Sequence, residues 1–195
     1  EKSVEVKSVE VKPVESKKST GNEIPRLRKR IAENMILSKQ TSAHVMTSVE
    51  VDYENISTLR NKIKADFKQK EGFSLTFLPF ISVATINALR EFPVVNSSFD
   101  LANNVHELHD FINLGIAVDL NREGLLVGTI KDSDSFNLRG LARKITEVSS
   151  QLRNKEYGLE DVTGSTFTIS NNGSFNSFIT SPIINQPNVA ILSTE

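Results

Sequence analysis

Cysteine is absent from this 195-residue sequence, and neither sign of charge is in excess. Without cysteine, the chain can form no disulfide bond, no thiolate metal site and no cysteine nucleophile. Its 23 basic residues are balanced by 24 acidic residues, which gives a formal net charge of -1. Nucleic-acid-binding proteins usually carry a clear excess of positive charge, so this balance argues against that class.

Long apolar runs are missing as well. No stretch of about 18 apolar residues that would span a membrane occurs, and there is no apolar segment typical of a secretory signal. Glycine-rich phosphate-binding motifs and the nucleophile elbow of serine hydrolases are also absent. With 38% hydrophobic residues, the chain can bury one core, and we expect a soluble globular protein. We interpret both ends of the sequence, Glu1 and Glu195, as cuts in a longer protein.

Residues 1–23 are predicted to form a flexible charged linker. Residues 2–16 contain three similar pentads, Lys-Ser-Val-Glu-Val twice and then Lys-Pro-Val-Glu-Ser. Lysine and glutamate alternate in them, and their only apolar residues are valines, which bury too little surface to offset the entropy lost on ordering. An exposed strand at a sheet edge, favoured by the regular valines, is the alternative.

From residue 24 onward, the spacing of apolar residues predicts four helices and seven strands. The helices are expected at 25–39, around 56–67, at 78–92 and at 138–152. The third is expected to be mostly buried, because no charge occurs between Phe77 and Ala88. Alternating patterns predict strands at 42–52, 96–99, 105–109, 111–119, 125–130, 165–170 and 188–193. Because helices and strands are mixed, the predicted fold is an α/β two-layer sandwich, a mixed sheet covered by helices.

Ser170 lies where the predicted strand 165–170 opens into a turn. Alternation places Ser170 on a face of hydroxyl side chains, opposite Phe167 and Ile169. The run Asn171-Asn172-Gly173 that follows favours a turn, so the hydroxyl of Ser170 can point into a cleft and donate a hydrogen bond. From spacing alone, a serine that simply closes the turn is the more economical interpretation.

Several short sequence segments, distributed over residues 24–195, resemble the motifs of one protein family when they are taken together. They are Ile24-Pro25-Arg26-Leu27-Arg28, Thr41-Ser42-Ala43-His44-Val45, Leu75-Thr76-Phe77-Leu78-Pro79, Phe92-Pro93-Val94-Val95-Asn96, Asn113-Leu114-Gly115-Ile116, Gly124-Leu125-Leu126-Val127, Gly164-Ser165-Thr166-Phe167-Thr168-Ile169-Ser170-Asn171-Asn172-Gly173 and Thr180-Ser181-Pro182-Ile183-Ile184-Asn185-Gln186-Pro187. Together they resemble the catalytic domain of the dihydrolipoamide acyltransferases of 2-oxo acid dehydrogenase complexes. The resemblance implies a fold like that of chloramphenicol acetyltransferase.

The resemblance also implies the reaction and its participants. An acyl group would move between a dihydrolipoyl thiol and the thiol of coenzyme A, with the lipoyl group bound covalently to a lipoyl domain outside this chain. Acetyl, succinyl and branched-chain transferases share these motifs, so the acyl group is not resolved. Homotrimers would build a cubic or dodecahedral core that works with a 2-oxo acid decarboxylase and a dihydrolipoamide dehydrogenase. The implied location is the bacterial cytoplasm, which we prefer, or the mitochondrial matrix, with neither nucleic acid nor membrane as a partner.

Five residues receive roles through the resemblance. Ser170 corresponds to the family serine that hydrogen-bonds the oxyanion of the tetrahedral intermediate. His44, Asn171 and Lys131 are expected to bind substrate, although a structural or surface role is the alternative for His44. Arg28 is expected to support the active site by holding an aspartate of the family's C-terminal segment, and a solvated arginine on a basic helix face is its alternative.

The family's catalytic base is a histidine in a His-x-x-x-Asp-Gly segment, and the chain stops at Glu195 before any such segment. We therefore expect this fragment alone to be inactive. The alternatives are a non-catalytic core or subunit-binding protein of the same fold and a stand-alone acetyltransferase of the chloramphenicol-inactivating type. No metal site is predicted, because His106 and His109 would face opposite sides of a strand.

Some positions depart from the family pattern. Ala43 replaces a frequent proline, and Asn176 and Ser177 replace a frequent glycine. Gly128 and Thr129 stand where Pro-Val is usual, and we expect the glycine to loosen the strand end before Lys131.

Overall fold

In a computed structural model, the chain is described at residue 21 and over residues 23–195. Most of the predicted linker, residues 1–20 and 22, lies outside the described residues. The four predicted helices are confirmed, as α1 Arg26–Thr41, α2 Glu54–Glu71, α3 Leu78–Glu91 and α4 Leu138–Asn154. Local chemistry fixes the ends of α4. Asn137 caps its start by accepting a hydrogen bond from the amide of Gly140, and Lys155 ends it in the left-handed conformation.

Six of the predicted strands are confirmed in two sheets. The strands are β1 Ser97–Asp100, β2 Val105–Leu108, β3 Leu114–Asp119, β4 Leu125–Ile130, β5 Phe167–Asn171 and β6 Ile191–Thr194. The first two form an antiparallel hairpin, and the other four form a mixed sheet in the order β4-β3-β5-β6. β3 is antiparallel to β4 and parallel to β5, which is parallel to β6. Because β4 returns the chain to the amino end of β3, where Leu114 pairs with both Ile130 and Phe167, β5 starts at that end and runs parallel to β3.

Helices α3 and α4 cover one face of this sheet and form the main core with it. Apolar side chains of β3 and β5 alternate onto this face. The fully or nearly fully buried members are Ile86, Leu89, Leu114, Ile116, Val118, Leu141, Ile145, Leu152, Phe167 and Ile169. This is the two-layer α/β sandwich that the sequence predicts. Within α3, however, Ala84 and Ala88 are exposed, so that helix is less buried than its lack of charge suggests.

The strand predicted at 42–52 is wrong. Residues 42–53 have no regular secondary structure, and the side chains of Val45, Val49 and Val51 are 91%, 78% and 60% exposed. A strand needs a neighbour to pair its amide and carbonyl groups, and within residues 23–195 no strand runs beside this segment. The alternating valines therefore form an apolar row that this chain leaves in solvent.

The expectation that Gly128 loosens the end of β4 is also wrong. The register between β3 and β4 runs without interruption from the Leu114–Ile130 pair to the Asp119–Leu125 pair. A Cβ atom at Gly128 would lie 2.8 Å from a methyl carbon of Leu152 in α4. Glycine is needed here because α4 packs directly on the main chain of β4.

Candidate functional site

The cleft that contains Ser170 arises because two parallel strands separate. β3 and β5 pair over only three residues each, 114–116 and 167–169. Beyond these pairs, β3 continues beside β4 and β5 continues beside β6. A cleft of about 640 Å³ opens between their carboxyl ends, where open α/β sheets generally bind ligands. Ser170 is the first residue of β5 past its last pair with β3.

The walls of this cleft combine the sheet, two helices and the turn after β5. They are formed by Leu78, Ile116, Ala117, Val118, Asp119, Asn121, Leu125, Ser149, Arg153, Ser170, Asn171, Asn172 and Phe175. Ser170 is 8% exposed. Leaving aside Ser174, whose side chain is not described, no side chain or main-chain group among residues 23–195 bonds to the hydroxyl of Ser170, so the proton can be donated to a ligand.

Hydrogen bonds fix the turn after Ser170, both within the turn and to the neighbouring strand β6. The side-chain oxygen of Asn171 accepts a 3.2 Å hydrogen bond from the amide of Gly173. The amide of Asn172 donates to the carbonyl of Thr194 at 2.9 Å, and its side chain donates to the hydroxyl of Ser193 at 3.2 Å. Asn171 lies next to Ser170 on the cleft wall, and its predicted substrate contact stays a prediction.

Arg28 lies at the same edge of the sheet as Ser170. Its guanidinium donates to the carbonyls of Arg122 and Glu123, at 2.9 and 3.2 Å, in the turn between β3 and β4. These bonds hold α1 against the turn that leads into the cleft wall at Asn121. The aspartate that Arg28 is predicted to hold belongs to the family's C-terminal segment, so that role stays a prediction.

Lys131 is not brought to the cleft. It follows Ile130, which pairs with Leu114 at the amino end of β3, whereas Ser170 lies past the level of Ile116. At about 3.3 Å per residue, the two side chains start about 13 Å apart along the strand direction. Lys131 is exposed, and its predicted substrate contact stays a prediction.

His44 is also outside the residues that line the cleft, and the main chain engages both of its ring nitrogens. The amide of Ile184 donates to Nε2 at 3.0 Å, and Nδ1 lies 2.9 Å from the carbonyl oxygen of Ser42. The other two histidines are on or beside the β1–β2 hairpin, where His106 contacts the hydroxyl of Ser97 and the ring of His109 packs beside Phe111. Residues 23–195 contain no cluster of three acidic or histidine side chains suited to a metal ion.

Comparison with known protein families gives a match over most of the chain. The model of the family "2-oxoacid dehydrogenases acyltransferase (catalytic domain)" matches residues 16–195. The chain belongs to this family. The matched region includes Ser170 and all the residues that line its cleft.

Individual acyltransferases of the family are similar over most of this chain. It is 40% identical over 167 residues to the dihydrolipoyllysine-residue succinyltransferase component of the 2-oxoglutarate dehydrogenase complex of Cupriavidus necator, covering 86% of this chain and 39% of that protein. It is 41% identical over 169 residues to the lipoamide acyltransferase component of the branched-chain alpha-keto acid dehydrogenase complex of Bacillus subtilis, covering 87% and 39%. The chain thus spans about two fifths of the length of these relatives.

A solved structure gives the same fold. The chain superposes on the cubic core of a pyruvate dehydrogenase multienzyme complex with a TM-score of 0.83 and 31% identity, covering 94% of this chain and 76% of that one. The three similar proteins belong to complexes for three different 2-oxo acids. The acyl group is therefore not resolved by similarity. Within the described residues, no helix of this chain is long and apolar enough to cross a membrane.

A buried polar network next to Ser170, on the same face of β5, was missed in the sequence. Thr168, two residues before Ser170 on the same face, donates to the side-chain oxygen of Asn188 at 2.8 Å. The amide group of Asn188 donates to the carbonyl of Ser165 at 2.6 Å, and the side chain of Asn185 reaches the Ser165 hydroxyl at 3.3 Å. The polar run around Pro187 was the available signal, because a loop so rich in asparagine needs partners for its amides once buried.

Proposed function

We propose that this chain is the catalytic domain of an acyltransferase that moves an acyl group between a dihydrolipoyl thiol and coenzyme A. The observation that supports this most directly is the free hydroxyl of Ser170 at the cleft between β3 and β5, inside the region matched by the family. Both thiols are substrates here, and the lipoyl arm would come from a lipoyl domain outside this chain.

The proposed reaction is thioester exchange. A thiolate of coenzyme A attacks the carbonyl carbon of the S-acyl-dihydrolipoyl group, a new carbon–sulfur bond forms, and the carbonyl oxygen takes the negative charge. The hydroxyl of Ser170 donates a hydrogen bond to that oxyanion. The intermediate then collapses, the bond to the dihydrolipoyl sulfur breaks, and the leaving thiolate takes up the proton that the base removed from coenzyme A.

The general base is proposed to lie outside this chain, in the family's His-x-x-x-Asp-Gly segment. No histidine lines the cleft among residues 23–195. Arg28 would hold the aspartate of that segment, since its guanidinium lies on the turn between β3 and β4, which leads into the cleft wall. Asn171 is proposed to bind substrate beside Ser170, and Lys131 to bind an anionic part of coenzyme A away from the reacting thioester.

The assembly is proposed by analogy with the relatives. Those proteins are named as components of 2-oxo acid dehydrogenase complexes, and one similar structure is a cubic core. Homotrimers that build a cubic or dodecahedral core, with a 2-oxo acid decarboxylase and a dihydrolipoamide dehydrogenase as partners, fit this similarity. We place such a complex in the bacterial cytoplasm.

The test is an acyl-transfer assay of the full-length protein with dihydrolipoamide and acetyl-, succinyl- or isobutyryl-coenzyme A. Ser170→Ala should lower kcat about 10²- to 10³-fold, because one preorganised oxyanion donor is lost. Ser170→Thr, which keeps a hydroxyl, should retain more activity. Ser150→Ala, on the exposed face of α4, is the matched control.

Assembly, followed by sedimentation, should be the same in all four proteins. Unchanged turnover in Ser170→Ala would show that Ser170 is not the oxyanion donor. A wild-type protein that assembles but transfers none of the three acyl groups would favour the alternative, a structural core of the same fold.

A further inference from the structure

The hydrogen bonds of His44 assign a donor role to one ring nitrogen and an acceptor role to the other. A carbonyl oxygen can only accept, so Nδ1 must carry the proton it donates to Ser42. Nε2 is then unprotonated and accepts the amide of Ile184 at 3.0 Å. The tautomer that carries its proton on Nδ1 satisfies both bonds, and neither ring nitrogen remains for a substrate.

The carbonyl of Ile184 is also hydrogen-bonded, by a residue of α1. Ser38, which is 0% exposed near the end of α1, donates from its hydroxyl to the carbonyl of Ile184 at 2.6 Å. The side chain of Gln186 donates to the hydroxyls of Ser42 and Ser38, at 2.7 and 3.3 Å. Both main-chain polar groups of Ile184 are thus bound by α1 and the residues just after it.

On its other side, segment 184–188 is hydrogen-bonded to β5, the strand that carries Ser170, and to Ser165 just before it. Asn188 bonds to Thr168 and to the carbonyl of Ser165, and Asn185 contacts the same two residues. Thr168 is fully buried and lies on the face of β5 that also presents Ser170. His44 and Ser170 are therefore linked through Ile184 and two asparagines, without touching.

We propose that His44 is a positioning residue for the proposed acyl transfer, and that it sets the placement of Ser170 by anchoring segment 184–188. This inference rests on the proposed function, and it assigns His44 a role different from the substrate contact expected from sequence. The network holds β5 on the face that also presents Ser170, so loss of the anchor shifts the oxyanion donor from its position. A misplacement of about 1 Å is enough to cost up to about 100-fold in rate.

The first test measures hydrogen exchange in the full-length protein by mass spectrometry. His44→Phe keeps a ring of similar size but removes the acceptor of the Ile184 amide. Exchange in peptides covering 182–188 and 166–170 should then rise about tenfold, as expected when one such bond is lost. His44→Gln, whose side-chain oxygen can still accept, should show a smaller rise, and His109→Phe should show none in these peptides.

The second test uses the acyl-transfer assay on the same variants. A positioning role predicts that His44→Phe lowers kcat about tenfold or more, with the KM for coenzyme A and dihydrolipoamide little changed, and that His44→Gln recovers part of the loss. A raised KM with unchanged kcat would overturn the proposal in favour of direct substrate contact. Unchanged exchange in peptides 182–188 and 166–170 would overturn it as well.

The two tests separate this inference from the proposed function. If the wild-type protein transfers no acyl group, the proposed function fails, while the exchange measurement still decides whether His44 anchors segment 184–188. If the wild type is active and Ser170→Ala is impaired but His44→Phe is not, the function stands and the positioning role is refuted.

Discussion

Thr168 and Asn188 form a hydrogen bond of 2.8 Å between two side chains that are 0% and 3% exposed. The bond joins the middle of β5 to the loop before β6, across 20 residues of sequence. Because the amide group of Asn188 also donates to the carbonyl of Ser165, both polar ends of this side chain are satisfied. Such a fully bonded pair makes the placement of β5 specific, since any other placement leaves buried polar groups without partners.

Replacing Asn188 by leucine should lower the free energy of unfolding by about 1–3 kcal/mol, because the buried hydroxyl of Thr168 loses its acceptor. Urea unfolding of the chain measures this. Asn154→Ala, at an exposed position at the end of α4, should change stability by less than about 0.5 kcal/mol. Adding Thr168→Val to Asn188→Leu should recover part of the loss, and strict additivity of the two changes would contradict a direct coupling.

Gly128→Val should destabilise the chain by about 1–3 kcal/mol, since the new side chain would meet Val148 and Leu152 of α4. Combining Gly128→Val with Val148→Ala should recover part of this loss by making room. The matched control is Gly21→Ala, where none of residues 23–195 has an atom within 4 Å of an added Cβ. Urea unfolding again gives the comparison, and a Gly128→Val chain as stable as wild type would show that α4 is not packed on β4 as described.

Glu71 should make the fold sensitive to acid. The hydrogen bond from Arg143, at 2.5 Å, lowers the pKa of the Glu71 carboxyl, with the charge of Arg139 acting in the same direction. A carboxyl whose folded pKa is lowered stabilises the protein at pH values above its unfolded pKa of about 4.3, and this contribution is lost as pH falls through the folded pKa.

The urea midpoint of Glu71→Gln should therefore lie below that of the wild type at pH 7, and the gap should close between about pH 5 and pH 3. Asp66→Asn is the control, because the Lys70–Asp66 pair lies in solvent with both side chains at least 60% exposed and should contribute little. A gap that stays constant over this range would contradict a role for the Glu71 charge.

Periodicity predicted the helices well because their hydrogen bonds join residues four apart. α4 is the clearest case, since its apolar spacing, its Asn137 cap and its left-handed end are all local. The segment 42–52 failed for the opposite reason. Its alternation is as regular as that of β3, but whether a strand forms depends on a neighbour that local sequence does not specify.

At the site, too, features set by neighbouring residues could be predicted, whereas features set by strand pairing could not. The turn after Ser170 and its hydroxyl face were visible in the sequence. The cleft was not visible in the sequence, because it forms where the pairing of β3 with β5 ends while β3 still pairs with β4 and β5 with β6. The separation of Lys131 from Ser170 likewise follows from the antiparallel register of β3 and β4. That register cannot be read from a family sequence pattern.

The 195-residue chain alone should show no measurable transfer of acyl groups to coenzyme A. A thiol needs a base to become a nucleophile near neutral pH, and positioned bases contribute about 10²–10⁴ in rate. The three histidines offer none in the cleft, because His44 is bound by main-chain groups and the other two lie on or beside the β1–β2 hairpin.

The same assay on the full-length protein serves as the positive control for this last prediction, and Ser170→Ala in that protein sets the level expected from loss of the oxyanion donor alone. If the short chain transfers acyl groups at a rate within tenfold of the full-length protein, the base must lie within its own 195 residues. Asp119, the acidic side chain of the cleft wall, would then be the first residue to replace, because an arginine cannot act as a base.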